Sequence, residues 1–301
     1  MEIGPERTYA EVYAAAHPLG AILPIENAPS GTWQYTLEQD LPTVGFRSLN
    51  EAFSESTGKV NPKVEKVAFA GGDLKVDNAL IRMHGEGIVA RQFAMKAKSL
   101  AHKIGDAFLN GNSVTDPESF DGIAIRVGTS VSSTGQILSE GSTDGGDPLQ
   151  ASSLDTLLSM VPGANALLMS RAMQNIITAG GRSTSVLGYV GYSQDALGRK
   201  VTTYNDIPIV IVDPVDSVYA SIAFNELGGS GATASASSIY AVKFEPGYCF
   251  GFQTQPMIVT PNVPTSDPYR IGRIEWDIGL AIENPWSVAR LRNISNAAMI
   301  A

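Results

Sequence analysis

Apolar and polar positions alternate most regularly near the end of the chain. Ile274, Trp276, Ile278, Leu280 and Ile282 interleave with Arg273, Glu275, Asp277, Gly279 and Glu283, the period of a strand with one buried face. The same alternation sets Trp33, Tyr35 and Leu37 against Thr32, Gln34, Thr36 and Glu38. A polar, turn-rich stretch, Ser54–Pro62, then leads to a second strand-like run, Val64–Val76. Thr32–Val76 therefore reads as a long two-stranded excursion with a polar tip. Such a ribbon is not stable alone in water. This one carries Trp33, Tyr35, Phe46, Phe53 and Phe69, so it must lie on its own domain or on a neighbouring subunit.

The period then changes. Val89, Phe93, Ala97, Leu100, Ile104 and Phe108 form one helical stripe. Asp77 is placed to cap it and Gly111 to end it, which predicts a helix of about 50 Å at 1.5 Å per residue, with a bend at Gly85 and Gly87. Beyond it, FDGIAIRV reads as a short strand and Thr129–Gln150 as an exposed loop. Ser153–Val161 reads as a helix and Asn165–Ser170 as a buried strand, with Ser170 capping a helix that stops at Gly180. Strands near Leu187–Tyr192 and Arg199–Tyr204 and the β-branched run Ile207–Val212 complete a small α/β block. Gly228–Ser238 reads as a loop, and Ile239–Phe244 and Tyr248–Phe252 as a strand pair turning at Pro246-Gly247. Residues 1–31 read as an arm broken by Pro5, Pro18, Pro24 and Pro29, with helical potential only at Tyr9–Ala16. The class is α+β.

Composition adds a clue about surface. Of 301 residues, 44% are apolar and only 17% charged. So few charges leave part of the surface to be covered by partners. The net charge is −9, and the basic residues of the long helix (Arg82, Arg91, Lys96, Lys98, Lys103) are mixed with Asp77, Glu86 and Asp106, the pattern of a solvated helix face. Cys249 stands alone and cannot form an internal disulfide. The N-terminal stretch lacks the basic and apolar blocks of a secretion signal, and no apolar run is long enough to span a membrane.

The search for chemistry returns little. His84 and His102 fall on one helix face but about 27 Å apart, too far to share a metal, and His17 has no ligand-spaced partner. No nucleophile elbow or phosphate loop is present. The string Gly229–Ala234 fits a dinucleotide pattern but lies in the Gly/Ser/Ala loop, and Asp144 and Asp147 are two acids in a polar loop. No catalytic, metal or cofactor-binding residues are expected.

The order of elements is the more specific signal. GFRSLNEAFSESTGKVNPKVEKVAFAGGDLKVD, NALIRMHGEGIVARQFAMKAKSLAHKIGDAFLNGN, FDGIAIRV, NALLMSRAMQNIITA with GRKVTTYNDIPIVIVD, and IEWDIGLAIENPWSVARLRNIS follow one another. In that order they resemble the extended loop, spine helix, axial domain and terminal strand of tailed-bacteriophage major capsid proteins, the Hong Kong 97-like fold. The resemblance runs from Thr32 to Ser295 and implies an N-terminal arm (1–31), an extended β-hairpin loop (32–76), the spine helix with the first part of a peripheral domain (77–150), an axial α/β domain (151–238), and return strands of both domains (239–301). It implies a subunit that self-assembles into pentamers and hexamers of an icosahedral or prolate shell in the bacterial host cytoplasm, enclosing double-stranded DNA without reading its sequence. Separate scaffolding, portal and decoration proteins are possible partners, and no membrane is. The expected intersubunit contacts are Trp33, Tyr35, Phe46, Arg47, Phe53, Lys59, Phe69, Trp286 and Arg290. Some relatives crosslink a loop lysine to an asparagine, for which Lys59, Lys63, Lys66, Asn262 and Asn284 are available. The alternative is an encapsulin-type nanocompartment with the same fold, against which the Pro-broken arm argues; a soluble α/β enzyme is the third reading.

Overall fold

The computed structural model describes residues 16–128, 135–182, 190–194, 200–212, 221–229, 231, 233–263 and 268–300. The expected helical turn at Tyr9–Ala16 lies, apart from Ala16, outside them. The described chain opens with a helical turn, α1 (Leu19–Ile22), and a short strand, β1 (Ile25–Asn27). The hairpin strands β2 (Thr32–Asp40) and β3 (Lys59–Lys66) follow, then β4 (Ala68–Asp77) and the helices α2 (Asn78–His84) and α3 (Gly87–Asn110). Next come α4 (Ile123–Val127), β5 (Ile137–Ser139), α5 (Ala151–Met160), β6 (Ala166–Met169) and α6 (Arg171–Gly180). The remaining strands are β7 (Val190–Gln194), β8 (Lys200–Tyr204), β9 (Ile207–Ile211), β10 (Glu226–Leu227), β11 (Ala234–Val242), β12 (Cys249–Gln253), β13 (Ile258–Val263), β14 (Tyr269–Ile282) and β15 (Val288–Ile294).

Two sheets organise these elements. β14 is the axis of the first. It pairs with β4 from Tyr269 to Ile278, while β13 pairs at Ile271–Glu275 and β12 at Ile278–Ile282, with β1 outside β12. Ile274, Trp276, Ile278 and Leu280 are buried as the alternation predicts, and the whole stripe from Val89 to Phe108 on α3 packs into the same core. The helix lies close to the sheet because Gly272 carries no side chain; a Cβ there would fall 2.0 Å from the Phe93 ring. The second sheet runs β5-β15-β11-β6-β9-β8-β7, with β10 added to β11. Its strand β6 is buried at every position. Ala166 and Leu168 face the first core, whereas Leu167 and Met169 face a second core with α5 and α6. Burial on both faces explains its continuous apolar run.

Several expectations change. The long helix is broken at Gly85, whose φ of +78° suits glycine. The helix after the break has 24 residues, about 36 Å rather than 50 Å. Asp77 does cap α2, accepting from Ala79 N–H at 2.7 Å. FDGIAIRV is not a strand. Ile123–Val127 is a single helical turn between Gly122 and Gly128, burying Ile123 and Val127 four apart and leaving Ile125 outward. Ile239–Phe244 and Tyr248–Phe252 do not form a hairpin. β11 pairs with β15 and β6, β12 pairs with β14 and β1, and Pro246-Gly247 is where the chain crosses between sheets. The predicted loops are partly ordered strand: β5 lies within Thr129–Gln150 (residues 129–134 fall outside the described ones), and β11 begins at Ala234. The arm is anchored from residue 17 onward, with His17, Leu19, Leu23 and Ala28 buried. Gly105 makes room for it in mid-helix, since a Cβ there would lie 2.5 Å from the His17 ring.

Candidate assembly surface

The paired hairpin spans Thr32–Lys66, shorter than Thr32–Val76, because the chain passes at Val67 into β4 and the main sheet. Pairing runs from Thr32 opposite Lys66 to Asp40 opposite Lys59, which projects the tip about 26 Å from the base at about 3.3 Å per residue. The tip, residues 41–58, has no regular structure and is exposed at every position.

At the base, the aromatic and charged side chains are used within the subunit. Trp33 stands edge-on to Phe250 with ring centroids 5.2 Å apart, and its Nε1–H donates to Glu283 Oε1 at 2.6 Å. Arg126 grips Glu65 through two parallel bonds of 2.6 and 2.7 Å. The same guanidinium donates to the carbonyls of Asp121 (2.7 Å) and Leu280 (3.0 Å). It thereby ties the hairpin to α4 and β14 at once. Tyr35 donates its hydroxyl to Glu65 Oε1 at 3.2 Å; burial, with the Glu65 charge beside it, pushes that hydroxyl up to about 12. A partly buried, bidentate, fully bonded ion pair is the geometry in which removing one partner is most damaging.

At the tip, nothing is covered. Leu41, Val44, Phe46, Leu49 and Phe53 all face solvent, Phe46 without any shielding, and a Cβ added at Gly45 would meet no atom within 4 Å. Arg47 lies 5.1 Å from the Phe53 ring centre and donates to the Glu51 carbonyl at 3.1 Å, a local cation–π contact. Exposed apolar side chains grouped this densely mark a binding surface.

The nine expected contact residues thus divide. Phe46, Arg47, Phe53 and Lys59 are exposed on or beside the tip, Phe69 is 82% exposed on the outer face of β4, and Trp286 is 61% exposed on the 3-10 turn before β15. Trp33 and Tyr35 are bonded at the base, and Arg290 is bonded within the second sheet to Glu226 (2.9 Å) and Ser238 (3.0 Å), beside the buried Tyr240 ring. Arg126 and Glu65 were missed; they lie 61 residues apart, and no local pattern joins them. Among the crosslinking residues, Asn284 uses its Oδ1 to accept from Trp286 N–H at 2.9 Å, and the Asn262 side chain lies outside the described ones.

The residues weighed for chemistry hold loops instead. Asp144 accepts from Thr233 N–H (2.9 Å) and its hydroxyl (2.8 Å), and Asp147 accepts from Thr143 N–H (3.1 Å). Among the described residues no group of His, Cys, Asp and Glu is arranged to hold a metal ion, and no helix is long and apolar enough to cross a membrane. Cys249 is buried, which raises its thiol to about 12 and leaves it unreactive.

The family model of the major capsid protein GP7 matches residues 22–153, which include the hairpin and α3. The capsid of the native GTA particle is 13% identical, with 98% of this chain and 93% of that one covered at a TM-score of 0.63. The chain shares a Hong Kong 97-like capsid fold. The Mycobacterium phage Adephagia structure superposes likewise at 11% identity, 96% and 90% coverage and a TM-score of 0.59. The holo-SrpI encapsulin complex from Synechococcus elongatus PCC 7942 does so at 13% identity, 94% and 89% coverage and 0.63. No curated protein matches the sequence.

Proposed function

We propose that the chain is the major capsid subunit of a tailed-phage-like particle, self-assembling into pentamers and hexamers of a closed shell around double-stranded DNA in the host cytoplasm. The observation that carries this reading is the uncovered apolar tip on a rigidly anchored hairpin. A soluble monomer gains nothing by holding five large apolar side chains in water about 26 Å from its body, whereas a neighbour that covers them converts the same surface into binding energy. Repeated around a closed symmetry, modest contacts of this kind sum to a stable particle. The subunit works by binding rather than by catalysis, and its net charge of −9 suits a wall that must not hold packaged DNA tightly. Scaffolding, portal and decoration proteins are the natural further partners.

An encapsulin shares the fold, but the match to a major-capsid-protein model across the hairpin and spine helix favours the capsid. Electron microscopy of the purified protein tests this. Genome-sized shells support the capsid, small uniform compartments support the encapsulin, and discrete small oligomers overturn both.

A further inference from the structure

The long helix α3 carries its charge unevenly. From Gly87 to Gly105 it holds Arg91, Lys96, Lys98 and Lys103 and no aspartate or glutamate, in a chain whose net charge is −9. The acids that flank this stretch are spent on the fold. Asp77 caps α2, Glu86 is gripped by Arg270 through bonds of 2.7 and 3.2 Å, and Asp106 accepts from the Asn110 side chain at 2.9 Å. The mixture of signs along the sequence is therefore not a mixture on the surface. Two of the lysines have an acid at hand: Lys96 lies over Gly72 beside Asp73, and Lys103 comes within 3.9 Å of Asp116. Arg91 and Lys98 are exposed and have no ion-pair partner among the described residues. They stand two turns apart, about 10 Å along the axis and about 20° round it, with the exposed Met95 between them. These three side chains form a ridge on the side of the helix away from the buried Val89–Phe108 stripe.

The far side of the same sheet has the other sign. There β4 and β14 carry Asp73, Lys75, Arg273, Glu275 and Asp277 on one face. Arg273 is held by Asp73 at 2.6 and 3.1 Å and leans on Glu275 at 3.8 Å, so what is left over is acidic. A body with one basic and one acidic side presents the basic one to a polyanion. We propose that the Arg91–Met95–Lys98 ridge faces double-stranded DNA and touches its phosphates. The partner follows from charge. Duplex DNA offers about one negative charge per 1.7 Å of axis, so phosphates come within reach of both cations wherever a duplex crosses the helix, whatever its sequence. Two cations per subunit make a contact that salt dissolves, and the acidic remainder of the chain adds nothing to it. The genome is then lined against the wall without being held tightly. The inference rests on the shell reading and names the side of the subunit that faces the contents.

Duplex binding by the full-length chain, kept too dilute to assemble, tests it. The probe is a labelled DNA duplex followed by fluorescence anisotropy from about 50 to about 200 mM salt. The native chain is expected to bind at the low end and to let go as salt rises. Arg91→Gln with Lys98→Gln is expected to weaken binding about tenfold or more at low salt, and to flatten the slope of log affinity against log salt by about 1.8, at about 0.9 per charge. Lys63→Gln with Lys66→Gln removes two exposed charges from the hairpin and is expected to leave both quantities unchanged. All four positions are exposed, and circular dichroism checks that each variant is folded. No binding by the native chain at low salt, or an equal loss from the hairpin pair, overturns the proposal. Competition by poly-glutamate as strong as by unlabelled duplex assigns the ridge to an acidic protein segment and also overturns it. Electron microscopy of the concentrated chain separates this inference from the reading beneath it. Shells from a chain that does not bind duplex remove the ridge and leave the shell; binding without shells removes the shell and leaves the ridge as a DNA contact.

Discussion

The base and the tip of the hairpin are built from the same kinds of residue and put to opposite use. Trp33, Tyr35 and Glu65 at the base have their polar atoms bonded, and the Trp33 ring stands against Phe250. Phe46, Arg47 and Phe53 at the tip touch little but one another. Residue type alone does not separate folding contacts from assembly contacts. What separates them is whether a side chain's hydrogen-bonding and packing capacity is already spent within the subunit. Variants at the base should therefore act on stability, and variants at the tip on assembly alone.

The sharpest break comes at Arg126. Arg126→Ala strands the Glu65 carboxylate and frees two carbonyls, and is expected to cost about 3–5 kcal/mol in denaturant unfolding of the unassembled subunit. A change below about 0.5 kcal/mol would place the base, like the tip, outside the folding unit.

The second test extends the comparison to the anchored part of the arm. His17 is buried against Gly105, its Nδ1 accepts from Leu19 N–H at 3.3 Å, and its Nε2 has no partner among the described residues. Burial, aided by neighbouring His102 and opposed by Asp106, lowers it from 6.5 to about 4. The unfolded chain therefore takes up the proton first as the pH falls. The stabilising contribution is complete above pH 6.5, declines below it and is gone near pH 4, a loss of about 3 kcal/mol. Unfolding free energies measured across that window should fall more steeply for the native chain than for His17→Asn; parallel curves refute this.

Phe46→Ala with Phe53→Ala should leave subunit stability within about 0.5 kcal/mol while weakening assembly about tenfold or more, equivalent to about 1.4 kcal/mol. Light scattering against concentration measures the second quantity, and unchanged assembly would remove the tip from the interface. The smallest effect is at Trp33→Phe, which keeps the ring stacking but loses the bond to Glu283. It should cost about 1 kcal/mol of stability with no change in assembly once the loss is offset by lower temperature.

Much of this arrangement was legible in the chain. The alternation around Trp276 and the stripe on α3 are single-element patterns, and each element buries the face its pattern marks. The failures occurred where two periods coincide or where partners are distant. Ile123, Ile125 and Val127 fit a period of two, but positions 123 and 127 also lie four apart, and the two flanking glycines let the chain close one helical turn. The local spacing of Ile239–Phe244 and Tyr248–Phe252 suggests a hairpin; their real partners lie farther downstream, with Ile239 opposite Leu291 on β15 and Cys249 opposite Ile282 on β14, and only the competition between sheets decides. The hairpin aromatics could be recognised as needing cover, but their division into spent and unspent depends on Arg126 and Glu283, residues far away in sequence.

The clamp at Glu65 also makes the hairpin a lever. With a reach of about 26 Å, a tilt of about 10° at Arg126 moves Phe46 through about 4–5 Å, roughly one strand spacing. In the shell proposed above, one sequence would sit in fivefold and sixfold rings, whose neighbours stand at different angles. With its base held by Arg126 and Trp33, a small tilt there would let the far end follow its neighbour while the two sheets stay rigid, so the adjustment would be made by the arm and the folded body need not be remade for each position.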